Sequence, residues 1–204
     1  MRTLVLLAHP ALQHSRANSL MLAEARRTDG VTVVDLYAEY PRFDIDVDTE
    51  QRRLLDHDAI VFQFPLLWYS APPLLKQWYD LVLQHGFAYG EHGIALKGKL
   101  WLCAVTVGGP LAAYGPEGRH KYSLRHLLSP IEATANLCQM PFLAPYVLFG
   151  SLGATDEARV THASGYRRLL EALRDDRLDL ESFRRLSTIS ATDVPALHTD
   201  EVAS

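Results

Sequence analysis

The sequence predicts an α/β fold in which a parallel sheet carries helices on both faces. Three observations predict it. Five short strand-like runs alternate with stretches of helical periodicity. One of these runs, Leu100–Val107, is apolar at nearly every position, as befits a strand covered on both sides. The chain has 204 residues of ordinary composition, 48% hydrophobic and 22% charged, which suits one domain at about 150 residues per domain.

The elements follow in order. Thr3–Ala8 reads as the first strand and Arg16–Arg27 as a helix, ended by the turn pair Asp29-Gly30. Val31–Leu36 is β-branched and short, a second strand. Tyr37–Asp48 is expected to be an irregular acidic connection, and Thr49–Asp56 a short helix. Ala59–Phe64 is the third strand, stopped by Pro65. Pro72-Pro73 opens a helix, where the missing N–H costs little. On it Leu74, Leu75, Trp78, Leu81 and Val82 recur at helical spacing. Lys97-Gly98-Lys99 is a turn into the fourth strand, which Gly108-Gly109-Pro110 breaks. Ser129-Pro130-Ile131-Glu132 has the form of a capping box, so a helix is expected from there to about Gln139. Phe142–Phe149 is the fifth strand. Asp156–Arg174 is a long helix whose inner face carries Ala163, Tyr166, Leu169, Leu170 and Leu173. Residues 1–185 are expected to form one domain, and 186–204, rich in Ser, Thr, Asp and Pro, a loose tail.

Composition excludes several classes. The formal charge of −4 lacks the basic excess of a duplex nucleic-acid binder. The apolar run behind Met1 is too short for a signal peptide or a membrane span, so a cytoplasmic location is expected. Cys103 and Cys138 lie in apolar stretches and read as small core residues of a reducing compartment. No Cys or His pair has zinc spacing. Asp44, Asp46 and Asp48 lack the Gly and distal Glu of a calcium loop, and read as a solvated connection. No metal site is expected. The G-x-S-x-G elbow of an α/β-hydrolase is also missing.

In open parallel sheets ligands bind beyond the carboxyl ends of the strands. That rule selects three loops: His9–Asn18, Pro65–Pro73 and Thr106–His120. The first has no Gly-rich phosphate fingerprint. It does place His9, Ser15, Arg16, Ala17 and Asn18 at the start of a helix, whose free N–H groups suit a phosphate. Plain capping by Ser15, with Arg16 solvated, is the competing reading. The second loop sets Leu66, Leu67, Trp68 and Tyr69 between prolines, a stiff wall for a flat ring or simple core packing. In the third, Gly108 and Gly109 allow close backbone approach, or form an ordinary strand-end turn. Tyr114 and His120 follow; a lone loop histidine is more often an idle surface group. The segment His85–Gly90 places Phe87 and Tyr89 among glycines, as an interface or pocket would, or as a loop tucked onto the core.

In series, these motifs resemble the flavodoxin-like NAD(P)H:quinone oxidoreductase family (DT-diaphorase-like). The resemblance is closest to its short branch, the ancillary flavoproteins of glutathione-gated Kef-type potassium-efflux systems. It rests on His9-Pro10 with Ser15-Arg16-Ala17-Asn18, on Pro65–Lys76, on Gly86-Phe87-Ala88-Tyr89-Gly90 and on Thr106-Val107-Gly108-Gly109, and it spans roughly residues 1–175. Each motif alone is weak; four in the same order are specific.

The resemblance implies a flavodoxin-like sheet of strand order 2-1-3-4-5. It also implies a flavin, FMN in preference to FAD, with NAD(P)H as co-substrate. The implied activity is two-electron, ping-pong hydride transfer to quinones. His9, Ser15, Arg16, Ala17 and Asn18 would hold the flavin phosphate. Pro65, Leu66, Leu67, Trp68 and Tyr69 would lie along the ring, and Thr106, Val107, Gly108 and Gly109 would cover its pyrimidine end. Tyr114 and His120, six residues apart as in longer members, would be catalytic, stabilising charge on the reduced ring. A homodimer is implied, with Trp68 and Tyr89 in the substrate pocket and Tyr89 over the partner's flavin. Val107 and Leu67 stand where relatives often have Thr and Gln, so a side-chain hydrogen bond to the ring is absent there. Two other readings stay open. One is a regulatory subunit of a Kef-type antiporter, peripheral at the inner face of the membrane. The other is a flavin-free α/β signalling domain.

Overall fold

A computed structural model describes residues 1–194. In chain order the elements are β1 (Thr3–Leu7), a 3-10 turn (Leu12–His14), α1 (Arg16–Arg26), β2 (Val31–Asp35), α2 (Leu36–Glu39), α3 (Val47–Asp56), β3 (Ala59–Pro65) and α4 (Pro73–Val82). Then come β4 (Leu100–Thr106), a second 3-10 turn (Leu111–Ala113), α5 (Leu124–Leu127), α6 (Ser129–Leu137), β5 (Tyr146–Leu148), α7 (Asp156–Arg174) and α8 (Leu180–Arg185). All strand pairs are parallel, in the order β2-β1-β3-β4-β5. This is the flavodoxin-like order the sequence implied. Among the described residues no helix is long and apolar enough to cross a membrane.

The three inner strands are buried along their whole length, which is why they read as continuous apolar runs. Side-chain alternation divides them between two cores. Leu4, Leu6, Ile60, Phe62, Trp101 and Cys103 face α4 and α6. Val5, Val61, Leu102 and Ala104 face α1 and α7, against Met21, Tyr166 and Leu169. Both cysteines are buried free thiols. Burial pushes Cys103 up to about 12 and Cys138 up to about 11, so neither is a ready nucleophile.

Several boundaries differ from expectation, each for a local reason. The acidic connection after β2 contains a helical turn, because the Asp35 carboxylate accepts the amides of Tyr37 and Ala38. Asp46 is not merely solvated. It caps α3, accepting from the Thr49 amide at 3.0 Å and the Thr49 hydroxyl at 2.8 Å, and the helix starts two residues earlier than expected. The capping box at Ser129 does not form. α5 runs into α6, the Glu132 amide bonds the Leu128 carbonyl, and the Glu132 carboxylate instead takes the Arg125 guanidinium. The fifth strand is only Tyr146–Leu148, since Pro145 has no N–H to continue a ladder. An isolated bridge from Trp101 to Phe142 is what remains of its expected start.

The segment after α8 also departs from the loose tail expected for 186–204. Ile189 pairs with Tyr146 at the sheet edge, and Ile189, Ala191 and Val194 are buried. Gly165, inside α7, makes this possible. A Cβ there would collide with Ala191 and come within 2.6 Å of the Tyr146 hydroxyl. The remainder of the expected tail, 195–204, lies outside the described residues.

Candidate functional site

The crests of β1, β3 and β4 converge on one cleft of about 460 Å³. Its walls include His9, Ser15, Arg16, Ala17, Asn18, Pro65, Leu67 and Thr106, so the three loops singled out from the sequence meet. A lattice of hydrogen bonds fixes them. The Asn18 side-chain amide donates to Thr106 Oγ1 at 2.9 Å and to Ser15 Oγ at 3.2 Å, while Gln63 Nε2 donates to the Asn18 carbonyl at 3.1 Å. The Leu66 amide donates to the Thr106 carbonyl at 2.9 Å, locking the second loop to the third. Asn18 is buried, and its amide is committed to this lattice.

One end of the cleft suits an anion. Ser15 caps α1, and its hydroxyl accepts from the Asn18 amide. The Ala11 amide donates to His9 Nδ1 at 3.1 Å, so the neutral ring carries its proton on Nε2. Burial lowers the His9 pKa, with the charge of Asp35 opposing. Arg16 stands at the first position of α1 and Arg159 in the first turn of α7. Both are poor places for a cation, because a helix N-terminus is itself positive. Asp156 offsets both, 2.7 Å from Arg159 and 3.7 Å from Arg16. Two helix N-termini and two guanidinium groups thus gather at one place.

The segment after β5 contributes Ser151, Leu152 and Arg159 to the walls, residues the sequence reading missed. Their one legible signal was an arginine in the first turn of a predicted helix.

The aromatic residues of the second and third loops, Trp68, Tyr69, Tyr114 and His120, lie outside the lining of this cleft. Trp68 and Tyr69 occupy the centre of a two-residue turn closed by two hydrogen bonds between Leu67 and Ser70. Both have positive φ, +48° and +65°, where a type I′ turn usually takes Asn or Gly. Such strain is commonly held where a site needs it. The turn lifts Trp68 out of the fold, 94% exposed. The His120 ring packs 4.6 Å from Tyr114, and its Nδ1 lies 3.2 Å from the Tyr69 hydroxyl. Its Nε2 is buried without a hydrogen-bond partner among the described residues. A Cβ on Gly109 would stand 3.0 Å from that nitrogen and 3.3 Å from the Tyr114 ring, so glycine is what lets both rings pack this close to the backbone. Burial raises the Tyr114 phenol, the Gly109 backbone amide opposing. Val107 is buried, its amide spent on the Leu148 carbonyl. Gly108 packs close to Leu152.

Tyr89 is not brought to this cleft. It is half-buried in a neighbouring hollow with Ser70, Ala71, Lys76, Tyr79 and Leu137. No group of three His, Cys, Asp or Glu residues among those described could hold a metal ion. The arrangement is a cleft with two guanidinium groups and two helix N-termini in its wall, and outside its lining a Tyr69–His120–Tyr114 cluster beside Gly109.

Comparison with known proteins gives concordant results. A family described by a flavodoxin-like fold, Flavodoxin_2, matches residues 1–170. The glutathione-regulated potassium-efflux system ancillary protein KefG of Cronobacter sakazakii is 46% identical over 169 residues, covering 83% of this chain and 92% of the relative. Among solved structures, the general stress protein 14 of Treponema denticola in complex with FMN is 39% identical with a TM-score of 0.77, covering 86% of this chain and 99% of that one. An NADPH-quinone reductase from P. pentosaceus is 34% identical with a TM-score of 0.76, covering 83% and 97%.

Proposed function

The chain belongs to the Flavodoxin_2 family of flavodoxin-like proteins, and from that premise we propose that it is an FMN-dependent NAD(P)H:quinone oxidoreductase. One observation carries the reading: the cleft at the crests of β1, β3 and β4 sets Arg16 and Arg159, at the starts of α1 and α7, opposite Pro65, Leu67 and Thr106 of the second and third loops. The similarity to an FMN complex and to an NADPH-quinone reductase supports it.

The residues fit such a group. The cradle offers a phosphate two guanidinium groups and the free amides of α1 as donors, the Asp156 carboxylate opposing. Glycine at 109 lets the backbone lie against His120 and Tyr114, and His120 Nε2 is buried there without a hydrogen-bond partner among the described residues. Bound FMN would supply two-electron hydride chemistry between NAD(P)H and a quinone. The protein's part is then to bind, orient and stabilise. Arg16, Arg159, His9 Nε2–H and the free amides of α1 would hold the phosphate. Pro65, Leu66, Leu67, Trp68 and Tyr69 would wall the ring, with Thr106, Val107, Gly108 and Gly109 along its polar edge. Tyr114 and His120 would present donors where negative charge accumulates, without reorganising at the moment of reaction. NAD(P)H and quinone would take turns in the same space, giving ping-pong kinetics. Trp68 and, in a homodimer, the Tyr89 side chain of a second copy would border that space.

The test is reconstitution. Purified protein mixed with FMN should turn yellow, retain the flavin through desalting and reduce menadione with NADH or NADPH. Protein that stays colourless after addition of FMN or FAD would sink the reading and favour a flavin-free signalling domain. Sedimentation at micromolar concentration decides the dimer, an obligate monomer counting against it.

A second reading, regulation of a Kef-type potassium-efflux antiporter at the inner face of the membrane, is favoured by the similarity to KefG. It also suits the exposed apolar side chains of Trp68, Leu111 and Leu152, the last two 63% and 86% exposed. Potassium efflux that depends on co-expression of this chain with such a transporter would support it. The two readings are compatible.

A further inference from the structure

We propose that Tyr69 is a positioning residue: its hydroxyl holds His120 in the tautomer that carries the proton on Nε2, and so fixes a hydrogen-bond donor beside Gly109. The inference rests on the proposed flavin site only for its consequence in turnover.

The argument begins at the turn. Trp68 and Tyr69 both take left-handed backbone, and this conformation brings Tyr69 back over the third loop. Its ring meets His120 edge to face, with centroids 5.5 Å apart and an interplanar angle of 72°. The hydroxyl lies 3.2 Å from Nδ1. A phenol is a good donor and an indifferent acceptor, because its oxygen lone pair is drawn into the ring. A neutral imidazole has one acceptor nitrogen and one N–H. The favoured pairing is therefore O–H to Nδ1, which leaves the single ring proton on Nε2.

That nitrogen has no partner among the described residues and is sealed from water. A buried donor left unpaired is costly, so a movement of the loop at Gly109 that brought an acceptor to it would be favoured. Tyr114, 4.6 Å from the other side of the imidazole, prevents the ring from turning away. The second loop, which otherwise only walls the slot, thus sets the chemistry of the third. A phenylalanine at position 69 would keep the turn and the edge-to-face packing and lose only the hydroxyl.

The test uses histidine-labelled, flavin-free protein and nitrogen-15 NMR at pH 8, with the His120 signals identified by their loss in His120→Gln. The wild type should show an unprotonated, hydrogen-bonded Nδ1 and a protonated Nε2. In Tyr69→Phe the Nδ1 resonance should move towards that of a free acceptor, with a share of the other tautomer. A wild-type ring protonated on Nδ1, or a Tyr69→Phe spectrum that superimposes on the wild type, overturns the proposal.

In FMN-loaded protein, Tyr69→Phe should slow reduction by NADH roughly fivefold. It should slow a His120→Gln protein no further; additive effects would overturn the coupling. If the flavin reading fails, the protein stays colourless while the NMR result still decides.

Discussion

The side-chain amide of Asn18 donates to Thr106 Oγ1 at 2.9 Å, joining the first turn of α1 to the end of β4 across 88 residues of chain. This bond fixes the spacing between the phosphate-facing helix and the glycine turn that follows Thr106. Asn18→Ala should cost about 1–3 kcal/mol, because Thr106 and Gln63 lose partners in a buried place. It should also weaken FMN binding. Urea midpoints and flavin titration check the two effects; an unchanged midpoint would show the lattice to be dispensable.

Arg159 is nearly buried, and the residue beside it in the cradle is an exposed Arg16. Arg159→Met should weaken FMN binding about 10- to 100-fold, the worth of a charge-assisted hydrogen bond. Riboflavin has the same ring and no phosphate, so its affinity should hardly change. An equal loss for both ligands would place Arg159 elsewhere in the mechanism.

Tyr114 and His120 should act on rate rather than on affinity. Tyr114→Phe and His120→Gln are each expected to retain FMN and to slow the reductive half-reaction by about 10²-fold. Stopped-flow traces that match the wild type would remove both from the mechanism.

His162 provides the pH dependence. Burial lowers its pKa to about 4, and its Nε2 has no partner among the described residues. At 4% exposure the ring stays neutral in the folded state. The unfolded chain protonates it near 6.5, so stability is complete above that pH. Stability should then fall by up to about 1.4 kcal/mol per unit between pH 6.5 and about 4. The lowered pKa of His9 adds in the same direction. Urea midpoints at pH 7 and pH 5 measure the slope, and His162→Phe should flatten part of it.

Gly165 is the one glycine inside α7, where alanine would ordinarily favour the helix by about 1 kcal/mol. Here the added methyl meets Ala191 and the Tyr146 hydroxyl. Gly165→Ala should instead destabilise by about 1–3 kcal/mol and loosen the docked segment around Ile189. Faster amide exchange at Ile189, whose N–H bonds the Pro145 carbonyl, would report it.

Local chemistry made much of this protein legible in its sequence. The apolar and β-branched runs gave the strands, and the periodic face of Ala163, Tyr166, Leu169, Leu170 and Leu173 gave α7 with its boundaries intact. The rule that ligands bind at strand crests selected three loops that contribute to one cleft, because a parallel sheet brings those crests to one edge. Tertiary structure decided what depends on elements distant in the chain. Ser129 and Glu132 form no capping box because α5 precedes them directly and Arg125 claims the carboxylate. Ile189, Ala191 and Val194 pack onto the fold because a glycine in α7 leaves room for them. Arg159 belongs to the anion cradle because α7 starts beside α1, and no spacing in the sequence states that. Tyr89 lies apart from the cleft although its motif stands beside the others in order. Which side chains meet is fixed by how helices and loops pack, and packing is a property of the whole chain that a local pattern does not carry.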